Sequence, residues 1–126
     1  MKVVFDTYAW IEYFLGSKKG LKVKEFLERG DEIITPSIVL LEMSVKSNKE
    51  GWNFEKQLKF IKMNSKVSGF NDEFVSSFGK IYNKTKKSIK GIGIVDCIVL
   101  TTAVLADAKI LTGDKHFEKI DRAVLL

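Results

Sequence analysis

The chain has 126 residues, of which 45% are hydrophobic and 29% are charged, proportions that are typical of one soluble globular domain. The single cysteine excludes an internal disulfide and a multi-cysteine zinc site, and the single histidine argues against a histidine-rich metal site. No apolar run reaches the roughly 18 residues of a membrane span, and the short N-terminal run does not have the form of a signal peptide. We therefore expect one cytoplasmic domain, residues 1–126, that does not bind membranes.

The predicted elements alternate between short β-branched runs and longer amphipathic segments. In chain order, the predicted strands are residues 3–5, 32–34, 66–68, 109–112 and 123–125. The predicted helices are residues 7–15, 21–29, 36–49, 53–63, 71–87, 94–107 and 114–120, with Thr35 as the N-cap of the third helix and Pro36 in its first turn. This alternation predicts an α/β fold, a three-layer α/β/α sandwich around a mostly parallel sheet of four to five short strands. In such folds, ligands bind at the carboxyl ends of the strands.

The net charge of +5 is unevenly distributed, since residues 56–90 contain nine lysines and only two acids. Within the predicted helix 71–87, Lys80, Lys84 and Lys87 have the i, i+4, i+7 spacing that places them on one face. A basic line of this kind can bind the phosphates of RNA, and it can equally be a solvated helix face. Both interpretations remain open at this stage.

Two acids follow predicted strands. Asp6 comes directly after the first strand and Asp114 comes two residues after the fourth strand. Each could be the N-cap of the helix that follows it. Each also lies at the carboxyl end of a strand, where the predicted architecture places its binding site.

Two further acids interrupt apolar helix faces. Glu42 has Ile38, Leu41 and Val45 at positions −4, −1 and +3, and Asp96 has apolar residues three, four and seven positions after it. Glu42 could lie at the edge of its apolar stripe and reach water, and Asp96 could be favoured by the helix dipole. If the four acids instead meet, their mutual repulsion requires cations between them. Hard oxygen ligands with few histidines favour Mg²⁺ or Mn²⁺.

The surroundings of the four acids reveal a family resemblance. The segments that carry it are VVFDT at residues 3–7, TPSIVLLE at 35–42, IVDCIVLTTA at 94–103 and LTGDKHF at 111–117. The sequence resembles the PIN domain, the metal-dependent ribonuclease fold of the VapC toxins, over nearly its whole length. No single segment is very specific, whereas the ordered set of four is much more so.

The resemblance implies a function and a set of site residues. It implies a Mg²⁺- or Mn²⁺-dependent endoribonuclease that cleaves RNA, the toxin of a type II toxin–antitoxin pair, with a cognate antitoxin and a homodimeric form. The acids that fall on the catalytic and metal-binding positions of the family are Asp6, Glu42, Asp96 and Asp114. Of these, we expect Asp6 and Asp96 to be innermost. Thr7 and Thr112 fall on supporting positions.

Two other functions are compatible with parts of the sequence. A non-catalytic RNA- or protein-binding module on the same fold would keep the basic line and could dispense with an acid. A receiver-like phosphate-accepting domain would need a second acid beside Asp6, which the sequence lacks. Three aromatic residues near the first helix, Tyr8, Trp10 and Tyr13, could stack on bases, although packing in the core or an interface is the more ordinary role for Trp10 and Tyr13.

Overall fold

A computed structural model describes all residues, 1–126, and contains a five-stranded sheet. The strands are β1 (Lys2–Phe5), β2 (Glu32–Pro36), β3 (Lys66–Ser68), β4 (Lys109–Thr112) and β5 (Ala123–Leu125). The spatial order is β3-β2-β1-β4-β5, and every neighbouring pair is parallel. The predicted α/β fold class and all five predicted strands are confirmed.

Six helices connect the strands. They are α1 (Thr7–Leu15), α2 (Lys18–Glu28), α3 (Ser37–Glu50), α4 (Phe54–Asn64), α5 (Asp72–Ser88) and α6 (Ile94–Ala106). The predicted helix at residues 114–120 is instead a single 3-10 turn, Lys115–Phe117. The second helix begins three residues earlier than predicted, because Ser17 caps it by accepting a hydrogen bond from the Gly20 N–H. None of these helices combines the length and the apolar character that crossing a membrane requires.

The strand order creates a switch point between β1 and β4. The chain runs outward from β1 through β2 to β3, and then returns to place β4 on the other side of β1. Because parallel crossovers are right-handed, this reversal puts the connecting helices on opposite faces of the sheet. The carboxyl ends of β1 and β4 therefore border a crevice, the usual ligand position in open α/β sheets.

Thr35 belongs to the core and does not cap α3, so this part of the sequence prediction is wrong. Strand β2 continues to Pro36, which is the N-cap residue of α3 and makes no side-chain capping bond. The hydroxyl of Thr35 accepts a 3.1 Å hydrogen bond from the indole N–H of Trp10 and lies 2.8 Å from the Ser65 hydroxyl. Trp10 is fully buried, which excludes it from stacking on RNA.

Two helical glycines differ sharply in their surroundings, and their alanine variants should change stability in opposite directions. A Cβ on Gly20 would lie 2.1 Å from the carbonyl oxygen of Glu12 in the neighbouring helix, whereas a Cβ on Gly79 would meet nothing within 4 Å. We expect Gly20→Ala to lower the free energy of unfolding by about 2–4 kcal/mol through overpacking. Gly79→Ala should raise it by about 0.5–1 kcal/mol. Urea unfolding of both variants checks this, and similar changes in the two would contradict the close helix contact.

Candidate functional site

All four predicted acids line one cleft of about 470 Å³ at the carboxyl ends of β1 and β4. Its full lining is Asp6, Thr7, Tyr8, Glu42, Val95, Asp96, Val99, Gly113, Asp114 and Lys115. Asp6 and Asp114 reach the cleft because their strands end there, and Glu42 and Asp96 reach it from α3 and α6. Four separate elements thus contribute one carboxylate each.

Asp6 is the deepest of the four acids, with only 8% of its surface exposed. It is also the N-cap of α1, since its Oδ1 accepts a 2.9 Å hydrogen bond from the Ala9 N–H. Burial raises the pKa of Asp6 from 3.8 to about 7. The negative charges of Asp114 and Asp96 act in the same direction, while hydrogen bonds from Thr112 and Ala9 oppose the rise in pKa. Capping and membership of the cleft are therefore compatible roles for Asp6.

Asp96 lies in the first turn of α6, and the residues that bring it inward are the buried Val99, Leu100 and Ala103, as predicted. Its Oδ2 accepts a weak 3.4 Å hydrogen bond from the Gly93 N–H. Burial, followed by the charge of Asp114, raises the pKa of Asp96 as well. Two carboxyl groups of the cleft are therefore harder to ionise than ordinary aspartates.

Glu42 reaches the cleft for a different reason from the one the sequence suggested. Leu41 and Val45, which the sequence pattern places in a buried stripe, are 64% and 72% exposed. The buried side of α3 is formed by Val39, Met43 and Ser47. Glu42 is half-buried, and its Oε1 accepts a hydrogen bond from the Thr7 hydroxyl. This bond joins α1 to α3 across the cleft.

The turn after β4 brings a histidine to the acids. The Nδ1 atom of His116 lies 3.3 Å from Oδ2 of Asp96 and 3.2 Å from Oδ1 of Asp114. Asp114 also accepts a 2.9 Å hydrogen bond from the His116 N–H, and its own N–H donates to the Thr112 hydroxyl at 3.0 Å. His116 is not among the site residues predicted from sequence. The spacing Asp-x-His directly after a strand end was the available signal.

The donor atoms of the cleft fit a divalent cation. One ligand atom each from Asp96, Asp114 and His116 lies within 4.8 Å of the others. Burial, followed by the charges of neighbouring aspartates, makes Asp6 and Asp96 costly to ionise without a cation. A bound cation would lower that cost, and carboxylate oxygens are the ligands that Mg²⁺ and Mn²⁺ prefer.

The predicted basic line lies only partly beside this cleft. Lys80, Lys84 and Lys87 are all exposed on α5. A second cleft, of about 430 Å³, is lined by Lys87, Ser88, Ile89, Lys90, Lys115, His116, Glu118 and Lys119. Because Lys115 lines both clefts, the basic cleft adjoins the acidic one. Of the three predicted lysines, only Lys87 contributes to it.

Residues 3–123 match the PIN domain family. The chain belongs to the PIN domain family. Solved structures that resemble this PIN domain agree with that membership. No curated protein sequence matches it significantly.

Solved structures of toxin–antitoxin complexes and of a toxin share the fold of this PIN domain. VapBC2 from Rickettsia felis, bound to a promoter DNA fragment, has a TM-score of 0.77 and 18% identity, covering 100% of this chain and 98% of that one. A toxin–antitoxin complex from Klebsiella pneumoniae has a TM-score of 0.75 and 21% identity, covering 97% and 95%. VapC20 of Mycobacterium tuberculosis, a toxin that cleaves the sarcin-ricin loop, has a TM-score of 0.65 and 13% identity, covering 87% and 85%.

Proposed function

We propose that this PIN domain is a Mg²⁺- or Mn²⁺-dependent endoribonuclease and the toxin of a type II toxin–antitoxin pair. The observation that carries the proposal is the meeting of four carboxylates from four elements in one cleft, with the buried Asp6 among them. A divalent ion, when bound there, lowers the pKa of a coordinated water and neutralises charge on the phosphate oxygens. The activity of the VapC20 relative is consistent with this reaction.

Each side chain of the cleft has a role in this proposal. Asp6 and Asp96, the two acids with raised pKa values, would bind the ion directly, and Glu42 and Asp114 would hold a second ion or water ligands. The Thr7 hydroxyl orients Glu42 through their hydrogen bond. Thr112 supports the last acid by accepting a hydrogen bond from the Asp114 N–H.

The direct test is incubation with structured RNAs in Mg²⁺ or Mn²⁺, with the Asp96→Asn variant as the control. We expect the wild type to cleave RNA, and the variant to be slower by at least about 100-fold because a ligand of the ion is lost. Cleavage should also stop in excess chelator. RNA binding by the wild type without any cleavage would favour the alternative, a non-catalytic binding module.

The basic cleft provides a path for the RNA backbone. The acidic cleft alone would repel RNA, and Lys87, Lys90, Lys115 and Lys119 lie directly beside it. We propose that the phosphates next to the cleavage site bind there. The remaining predicted lysines, Lys80 and Lys84, could extend this path along α5.

Replacing two lysines of the basic cleft should weaken RNA binding independently of RNA sequence. For Lys87→Gln/Lys119→Gln we expect the dissociation constant to rise about 10-fold. The slope of log K against log salt should fall by about 1.4, since each phosphate contact to a single strand contributes about 0.7. The matched control is Lys80→Gln/Lys84→Gln, measured by fluorescence anisotropy at several salt concentrations. An equal loss of affinity in the control would instead extend the binding path along the whole of α5. If neither pair of substitutions weakens binding, both the basic cleft and its extension along α5 are rejected as RNA-binding surfaces.

We also propose a cognate antitoxin and a homodimeric form, with action in the cytoplasm where the RNA substrate is found. The structural relatives include complexes with antitoxins. An apolar groove of about 190 Å³ offers a surface that a protein partner could cover. It is lined by Phe70, Phe74, Val75, Phe78, Ile94 and Ile98. The test is co-expression with the neighbouring reading frame, followed by measurement of the molar mass by light scattering with and without the co-expressed protein. The first mass tests for the antitoxin complex, and the second tests for the homodimer.

A further inference from the structure

We propose that His116 is a nitrogen ligand of the divalent ion in the acidic cleft, so that the site prefers Mn²⁺ over Mg²⁺. The inference rests on the proposed metal-dependent function. It adds to that function an inner ligand outside the four acids, and with it the choice of metal. It also places Asp114 among the direct ligands of the ion that Asp96 binds, in place of a role with a second ion or with water ligands.

The position of the imidazole matches that of a ligand next to two carboxylates. Nδ1 of His116 lies 3.3 Å from Oδ2 of Asp96 and 3.2 Å from Oδ1 of Asp114. Adjacent ligands on an octahedral ion with bonds of about 2.1 Å are about 3 Å apart. Nδ1 therefore lies from each of the two carboxylate oxygens at nearly the separation of neighbouring ligands of one ion, and the three ligand atoms all lie within 4.8 Å of one another. The buried Asp6 lines the cleft that holds both aspartates.

The backbone of the turn holds His116 in this position. Its N–H donates to Asp114 Oδ1 at 2.9 Å, and the N–H of Asp114 donates to the Thr112 hydroxyl at 3.0 Å. A Cβ added to Gly91 would lie 3.6 Å from Nε2, so the outer edge of the ring lies near this glycine. The ring thus directs Nδ1 toward the acids and Nε2 toward the loop.

The chemistry of the donors determines the metal preference. Mg²⁺ favours oxygen ligands and retains its waters, whereas imidazole nitrogen suits first-row transition ions. A site of carboxylates with one imidazole fits Mn²⁺, which accepts both kinds of donor and precedes the tighter-binding ions of the Irving–Williams series. If His116 instead only orients Asp96 and Asp114 from outside the coordination shell, it would favour neither metal.

The test uses Mn²⁺ itself as the probe. Because the chain has one histidine, a pulsed-EPR coupling between Mn²⁺ and an imidazole ¹⁴N can come only from His116, provided that the protein carries no histidine tag. We expect this coupling in the wild type and its loss in His116→Asn. The Glu118→Gln variant is the matched control, since it removes a neighbouring exposed acid and should retain the coupling.

Calorimetric titrations give the second measurement. His116→Asn should raise the dissociation constant for Mn²⁺ about 10-fold, while the constant for Mg²⁺ should change less than about 3-fold. A wild type that binds Mn²⁺ without ¹⁴N coupling overturns the inference, and so does equal weakening of both metals or an absence of Mn²⁺ binding. Imidazole coupling without RNA cleavage would retain this inference and reject the ribonuclease. RNA cleavage without imidazole coupling would reject this inference and retain the proposed ribonuclease.

Discussion

The Asp6→Asn variant is expected to lose RNA cleavage and at the same time to be more stable than the wild type in the absence of metal. Cleavage should fall by at least about 100-fold, because the amide is a poor replacement for a carboxylate ligand of the ion. Stability should rise because the wild-type carboxylate is buried, and a neutral amide of the same shape avoids the desolvation of a charge.

The expected gain in stability follows from the pKa of Asp6. With a pKa of about 7 in the folded protein and 3.8 as the ordinary value, keeping the group ionised above pH 7 costs about 4 kcal/mol at about 1.4 kcal/mol per pH unit. Since the folded protein can relax, we expect Asp6→Asn to recover about 2 kcal/mol at pH 8. Urea unfolding in the presence of chelator measures the difference.

The control variant for this prediction is Asp6→Ala. Asparagine can still accept the hydrogen bond that Asp6 accepts from the Ala9 N–H, whereas alanine cannot, and loss of an N-cap costs about 1 kcal/mol. Asp6→Ala should therefore be less stable than Asp6→Asn, while both lose cleavage. Full activity of Asp6→Asn would reject the proposed role of Asp6, and a large loss of stability would reject the account of its burial.

The second large effect is a loss of stability of the metal-free protein as the pH rises from about 4 to about 7. In this range the folded protein binds more protons than the unfolded chain, because the folded pKa of Asp6 is about 7 and the ordinary value is 3.8. The stabilisation is therefore complete below about pH 4 and is lost as the pH rises through about 7. The raised pKa of Asp96 acts in the same direction.

Divalent ions should reverse this pH dependence. Binding requires the ionised carboxylates, so Mn²⁺ or Mg²⁺ should stabilise the protein more at pH 8 than at pH 5. At a hundredfold excess over the dissociation constant, the stabilisation is about 2.7 kcal/mol, which corresponds to about 10 °C in Tm for a domain of this size.

Thermal unfolding from pH 4 to 8, with metal and with chelator, checks both expectations. The Asp6→Asn variant is the control, and its metal-free stability should fall much less between pH 4 and 7. A wild type and a variant with the same pH profile would contradict the assigned titration of Asp6. A metal effect that is equal at pH 5 and pH 8 would contradict binding by these carboxylates.

The parts of the site that could be predicted from sequence are those that depend on strand ends and on local helix patterns. Asp6 directly follows the buried run Val3 to Phe5 and could therefore be placed at the edge of the sheet. Asp96 could be placed by the apolar residues that follow it on α6. The prediction for Glu42 placed it with the other acids, whose cleft it does line, but from a wrong premise, because Leu41 and Val45 are exposed.

The misses share a physical cause, which is that they depend on contacts between distant segments. Thr35 has the sequence of an N-cap, but the indole of Trp10, 25 residues away, bonds its hydroxyl within the core. The role of His116 depends on Asp96, 20 residues earlier in the chain, lying beside the turn after β4. No local sequence pattern predicts the contact of Thr35 with Trp10 or that of His116 with Asp96.

The sequence by itself determined the alternation of strands and helices and hence the mostly parallel sheet, because short apolar runs and the 3.6-residue period are local properties of the chain. The resemblance could also be found from sequence, since four short segments carry it. Only the tertiary structure decided that these acids share one cleft, that His116 lies against two of them, that Lys87 but not Lys80 or Lys84 lines the basic cleft beside it, and that burial raises the pKa of Asp6. These features depend on the order in which the strands pair and on how deeply each side chain is removed from water, and both are properties of the assembled fold.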